Sequence, residues 1–165
     1  MSKRARQYIG LLAAIVFYYV IHEGAHLVYA LGIGVFKQIN FMGLGMQVDV
    51  YVEQMTSQQL GIFCIVGSIA TTVVAYLLVI LTDKIKDASS KCFKASMYYI
   101  TIAMLLLDPV YLSILCGLFG GGDMNGISLF IPELIARIGY GVLLVLNSIV
   151  FFKIVLPKYQ AGFKD

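Results

Sequence analysis

The chain has 165 residues, of which 60% are hydrophobic and 13% charged, and its net charge is +3. Soluble domains run at roughly 45–50% apolar and about 25% charged, so an ordinary water-soluble domain is excluded, and the length suits one domain over residues 1–165. The positive charge is too small and too scattered for nucleic acid: the basic residues sit at the ends of apolar runs, where membrane topology places them.

A span of the hydrocarbon core needs roughly 20 mostly apolar residues. The first such segment runs from Tyr8 to Ala30. Lys3, Arg4 and Arg6 before it give it the look of a signal peptide. The apolar run continues to about Ile33, however, well past the roughly 7–15 residues of a signal h-region, and it carries ionisable groups. It is expected to be a retained transmembrane helix.

The connection that follows holds two short runs, Phe36 to Asn40 and Met46 to Val52, around the glycine-containing turn Phe41-Met42-Gly43-Leu44-Gly45. Val48, Val50 and Val52 alternate with Asp49 and Tyr51, the period of a strand. A β-hairpin at or dipping into the outer membrane face is predicted. Backbone at that depth must be covered by protein or line a wet cavity.

Three further spans are predicted, from Leu60 to Leu81, from Ser96 to Phe119, and between Leu129 and Leu156 with its cleanest stretch from Ile138. The fold class is therefore an all-α membrane protein of four spans with one membrane-associated hairpin. Bases flank it unevenly. Lys84, Lys86, Lys91 and Lys94 lie between spans two and three, and Lys153, Lys158 and Lys164 close the fourth. The other two connections contain Lys37 alone or no base. The positive-inside rule then puts both termini in the cytoplasm, in a multi-pass protein of the cell membrane.

Between spans three and four, Gly120 to Gly126 holds four glycines in seven positions, enough to break the helix and let backbones approach. Asp123 stands there as a candidate cap for the next helix. Cys64, Cys92 and Cys116 are odd in number and share no close spacing, so they read as buried apolar residues and indicate neither disulfides nor a thiolate metal site.

The chemistry concentrates in His22-Glu23-Gly24-Ala25-His26. Residues i and i+4 share one helix face, so His22 and His26 can bind one metal ion, and Glu23 can reach a water on it. These are the only histidines in the chain. They lie inside an apolar span, where three ionisable groups within five residues carry a heavy desolvation cost. From Tyr8 to His22 is 14 steps, so the motif lies about 21 Å from the cytoplasmic end, past the middle of a core about 30 Å thick. Catalytic zinc takes three protein ligands and one open position. With no further histidine, the third ligand is expected to be a carboxylate: Asp108, Asp123 or Glu133. Glu133 stands four residues before Arg137, which fits an i,i+4 ion pair.

Ile21 to Ala30 resembles the signature helix of the site-2 protease family of intramembrane zinc metalloproteases. The glycine-interrupted loop after it is similar to that family's membrane-associated hairpin. Val66-Gly67-Ser68-Ile69-Ala70 is similar to the small-residue pattern of its next core helix. Two departures stand out: Gly24-Ala25 replaces the usual Leu-Gly, and Leu107-Asp108-Pro109 lacks the Asn/Pro-rich Leu-Asp-Gly context of the main branch. Gly121-Gly122-Asp123 through Ile127 resembles instead the Gly/Ser-Asp motif of a divergent branch of small members. The resemblance implies a zinc metalloendopeptidase with one Zn²⁺ on His22, His26 and Asp123, Glu23 as general base, and a transmembrane or membrane-proximal protein as substrate. The rival expectation is a non-proteolytic metal-binding membrane protein, a transporter or a pseudo-enzyme. A zinc hydrolase acting on lipid would use the same metal chemistry. Four spans with one polar cluster and no inverted repeat leave little for a transport path.

Overall fold

The computed structural model describes residues 1–42, 45–118 and 120–164. Four helical stretches are long and apolar enough to cross a membrane: Lys3–Gly32, Ser57–Lys86, Lys91–Leu118 and Glu133–Phe163. Helix α1 (Lys3–Gly32) starts on a Ser2 cap and ends where Gly34, at φ 75°, turns the chain toward the first strand. Strands β1 (Phe36–Met42) and β2 (Gly45–Val50) pair antiparallel. The hairpin is therefore present, but it is shifted from the expected runs. β1 extends to Met42, and β2 stops at Val50 because Val52–Gln54 winds into a 3₁₀ turn that leaves Val52 exposed. Val48 and Val50 keep the predicted inward alternation. Gly43 and Leu44 of the expected turn lie outside the described residues.

Helix α2 (Ser57–Lys86) opens with a capping box between Thr56 and Gln59, two reciprocal bonds that fix its first turn. A short connection leads to α3 (Lys91–Val110), capped by Ser90. Pro109 lies inside α3. It cannot donate to the carbonyl four residues back, and the chain beyond it loosens into a π turn (Tyr111–Leu115) and a 3₁₀ turn (Cys116–Leu118). The bare carbonyl of Leu105 is filled from another helix: Asn147 Nδ2 donates to it at 2.7 Å, while Tyr76 Oη donates to Asn147 Oδ1 at 2.8 Å.

Helix α4 (Asp123–Ile127) is a single turn and a half, set against α2. Helix α5 (Glu133–Val150) passes through a second π turn (Phe151–Val155) into α6 (Leu156–Lys164). Pro157 explains that widening, since its ring would crowd the carbonyl one turn earlier. Glu133 and Arg137 form the expected ion pair at 2.8 Å.

The interior divides into two clusters. One, built from Ala14, Ala75, Leu78, Ile100, Met104, Leu105, Phe151 and Val155, holds the long helices together at the end away from the hairpin. The other gathers Ala30, Val48, Val50, Phe63, Leu112, Cys116, Met124 and Ile127 under the hairpin and α4. Cys64 and Cys116 are buried as expected, whereas Cys92 is only half-buried. Large apolar side chains such as Val16, Val20, Val28, Val73, Leu77, Ile80, Val145 and Ile149 point outward along the long helices, which is the surface a multi-pass membrane protein presents to lipid.

Candidate metal centre

The site lies on α1 between the two clusters. His22, Glu23 and His26 are all buried, on the helix face that meets α2, α3 and β2. The 3.6-residue period stacks the two imidazoles one above the other. Their Nε2 atoms point to one place, 3.2 Å apart.

Asp123 closes the triangle. Its Oδ2 lies 3.2 Å from His22 Nε2 and 3.5 Å from His26 Nε2. The glycines before it make this possible. Gly120, Gly121 and Gly122 have φ of 78°, 86° and 48°, a left-handed run that no ordinary side chain would tolerate. Asn125 Nδ2 braces the loop by donating to the Gly120 carbonyl at 3.0 Å. Gly126 seats the short helix against α2, since a Cβ there would lie 2.3 Å from Cys64 Sγ and 3.1 Å from the Leu60 carbonyl. The sequence expectation of a capping role for Asp123 is corrected here. Gly122 is the N-cap, Asp123 is the first helical residue, and its carboxylate turns to the histidines. Burial pushes this carboxyl up, but hydrogen bonds with His22 and His26 outweigh it and hold it down at about 2.

The three donor atoms fit a metal ion. Ligands at about 2.0–2.1 Å from a tetrahedral zinc stand about 3.3–3.4 Å from one another, and the observed edges are 3.2, 3.2 and 3.5 Å. His22, His26 and Asp123 form the ligand-type cluster among the described residues. Space has been left beside it. A Cβ built on Gly67 of α2 would fall 2.6 Å from His26 Nε2 and 2.8 Å from His22 Nε2, so only glycine leaves this wall of the cradle open.

Asp108 occupies a different position. Its carboxylate meets the other nitrogen of His22, with Oδ1 3.2 Å from Nδ1. It also accepts hydrogen bonds from Tyr18 Oη and Thr71 Oγ1. Fully buried, it is satisfied on both oxygens. A carboxylate behind a ligating histidine holds the proton on Nδ1 and leaves the Nε2 lone pair for the metal. Glu133 is exposed and paired with Arg137, away from this cluster. His26 has no such support. Its Nδ1 is buried without a hydrogen-bond partner, and its ring packs against Phe63 at 4.6 Å between centroids.

Glu23 faces the hairpin, where its Oε2 accepts from the Val48 N–H at 2.9 Å. In an antiparallel pair the N–H and C=O of one residue point to the same side, so this bond marks the edge of β2 that β1 does not use. That edge meets Glu23, the residue between the two histidines of α1.

No protein-family model matches the chain, and no curated protein or solved structure does either. The case for the site therefore rests on the geometry alone. Sequence reasoning missed Tyr18, Thr71, the place of Gly67 beside the imidazoles and the supporting place of Asp108. Tyr18 and His22 are one turn apart, as are Gly67 and Thr71, so helical spacing carried a signal for each pair, but only the packing of α1 against α2 and α3 makes them neighbours.

Proposed function

We propose that this protein is an intramembrane zinc metalloprotease, similar in site and layout to the site-2 protease family. The observation that carries this reading is the triangle of His22 Nε2, His26 Nε2 and Asp123 Oδ2, backed by Asp108 on His22 Nδ1. Two neutral imidazoles and one carboxylate suit zinc, which when bound lowers the pKa of a water and polarises a carbonyl. His22, His26 and Asp123 would hold the ion. Asp108, with Tyr18 and Thr71, fixes the tautomer and angle of His22.

Glu23 is the general base. It takes a proton from the attacking water and later passes it to the leaving amine. In the free protein its carboxylate is tied to the Val48 N–H. The substrate is a transmembrane or membrane-proximal segment unwound into an extended strand. Such a strand adds to the open edge of β2 and competes for that same N–H. Substrate pairing and release of Glu23 are then one event, and the peptide bond comes to lie beside the base.

Four long apolar helices, with bases gathered around the N-terminus, the α2–α3 connection and α6, support a multi-pass protein whose two termini are cytoplasmic, in the cell membrane. The site lies beyond the middle of α1 on that orientation, nearer the outer face, under the hairpin.

The test is cleavage of a panel of single-span membrane proteins by the purified, reconstituted chain. Wild type is expected to cut at least one of them, and Glu23→Gln to lose at least a hundredfold in rate while keeping its metal. Equal cleavage by Glu23→Gln would overturn the assignment. Zinc binding without cleavage of any of them would favour the pseudo-enzyme, and His22-dependent zinc flux into proteoliposomes would favour a transporter.

A further inference from the structure

A second built cavity lies at the opposite end of the molecule from the hairpin. Its volume is about 700 Å³, within the range of roughly 300–1,000 Å³ common for small-molecule sites. It opens between the start of α1, the start of α3 and the end of α6. Lys3 and Arg6 come from α1, Lys91 from α3, with Gln7, Gln160 and Tyr98 completing the polar wall. None of its lining residues is acidic. Among the described residues none of the three cations has a carboxylate partner: Arg6 Nη1 reaches the Met1 carbonyl at 3.0 Å, and the nearby carboxylate Asp83 is taken by Lys158 and Lys86.

Helix polarity makes the concentration of charge greater still. Both α1 and α3 begin at this end, and their first turns contain no acidic residue. Helix N-termini carry partial positive charge and ordinarily favour Asp or Glu there. Here Lys3 and Lys91 stand at those positions instead. The positive-inside rule accounts for the side of the membrane on which these bases lie. It does not account for their convergence from two helices on one cavity. Nor does it account for Lys94, a buried neighbour of the wall, whose Nζ donates to the Gly162 carbonyl of α6 and lies 5.9 Å from the Phe163 ring centre. That bond fastens α6 across the start of α3 and shapes the cavity's third side.

From this geometry we infer that the cavity formed by Lys3, Arg6 and Lys91 binds a phosphate group, that of an anionic phospholipid headgroup. Three cations that among the described residues have no carboxylate partner favour the negative charge of a phosphodiester, and the two glutamines offer amides to its oxygens and glycerol hydroxyls. Basic pockets between membrane helices on the cytoplasmic side are of this kind. The site is independent of the metal centre and does not require the chain to be a protease.

The experiment is native mass spectrometry of the full chain in detergent, titrated separately with dioleoyl phosphatidylglycerol, dioleoyl phosphatidylcholine and inorganic phosphate. Wild type is expected to bind phosphatidylglycerol at least tenfold more tightly than phosphatidylcholine. Replacing Lys3, Arg6 and Lys91 together by Gln should abolish that preference. Replacing Arg4, Lys84 and Lys153 by Gln, which removes the same charge outside the cavity, should leave it. If the first triple variant does not fold, Gln160→Glu alone, which brings an acid into the cavity at an exposed position, should reduce the preference about tenfold. Inorganic phosphate that displaces the lipid at millimolar concentration would assign the shared chemistry to a soluble phosphate compound. An unchanged lipid preference in folded Lys3/Arg6/Lys91 and Gln160→Glu variants would overturn the proposal.

Discussion

The two halves of the helical bundle differ in kind. In the half around Met104, Leu105 and Leu78, long aliphatic and aromatic side chains fill the space between the long helices, the π turn at Phe151–Val155 among them. In the half around Met124, Cys116 and Phe63, the chain turns at three left-handed glycines, loosens into a π turn, and folds a hairpin back over α1. The candidate metal centre lies where the first half gives way to the second. A regular helix brings His22 and His26 together, and the turn at the three glycines brings the carboxylate of Asp123, the first residue of α4, to meet both. Regularity supplies the frame, and irregularity supplies the third ligand.

Glycine substitutions separate the halves most sharply. Gly67→Ala would put a methyl group 2.6 Å from His26 Nε2, and the chain is expected to fold yet lose its bound metal altogether, as elemental analysis would read. Gly10→Ala in the other half would meet Tyr99 Cδ2 at 2.6 Å and the Ala95 carbonyl at 3.1 Å. There the cost is overpacking of the α1–α3 contact, about 1–3 kcal/mol, with metal content unchanged. Were both to behave alike, the division between frame and site would fail.

Next in size is Asp108→Asn. An amide can still sit behind His22 but no longer holds the Nδ1 proton by charge, and a loss of roughly 10–100-fold in metal affinity is expected. Stoichiometry at saturating zinc should remain that of wild type. A competition titration with a chromophoric chelator distinguishes this from loss of a ligand.

Asn147→Leu sharpens the account of the frame. It strips the Leu105 carbonyl of the donor that Pro109 cannot provide, leaving a buried acceptor unsatisfied at about 1–3 kcal/mol. Thermal unfolding should shift downward while metal stays bound.

Smallest is the hairpin's outer face, where Lys37 and Asp49 pair at 3.1 Å on exposed side chains. Hydrogen bonding to Asp49 raises the Lys37 ammonium above its ordinary range. A raised pKa means the contribution is whole at neutral pH and lost only as pH rises through the folded value, above about 10.4. Exposure makes it slight, so Asp49→Asn should leave the midpoint of unfolding at pH 7 unchanged within error.

Much of this fold could be read in the sequence because four long apolar runs with basic residues at their ends mark out helices long enough to cross a membrane. His22, Glu23 and His26 were legible for a similar reason: five adjacent residues on one helix carry their own geometry. The rest of the site did not have that advantage. Asp108 and Asp123 lie 15 positions apart with a proline and four glycines between them, and residue type alone cannot tell which meets Nε2 and which Nδ1. Resemblance to a family motif favoured Asp123, and the coordinates put it beside both Nε2 atoms and put Asp108 behind His22. Gly67 stood out in sequence only as part of a small-residue pattern and Asn147 not at all, because each answers to something on another helix: the room needed beside the imidazoles, and a carbonyl left bare by Pro109.

The central claim, a metal held by His22, His26 and Asp123 with Asp108 as support, is tested most directly by zinc content in purified wild type, His26→Ala, Asp123→Ala and Asp108→Ala. The account predicts about one zinc per chain in wild type, none in His26→Ala or Asp123→Ala, and a weakened but full site in Asp108→Ala. A well-folded wild type without metal, or loss of metal in Asp108→Ala with retention in Asp123→Ala, would contradict it.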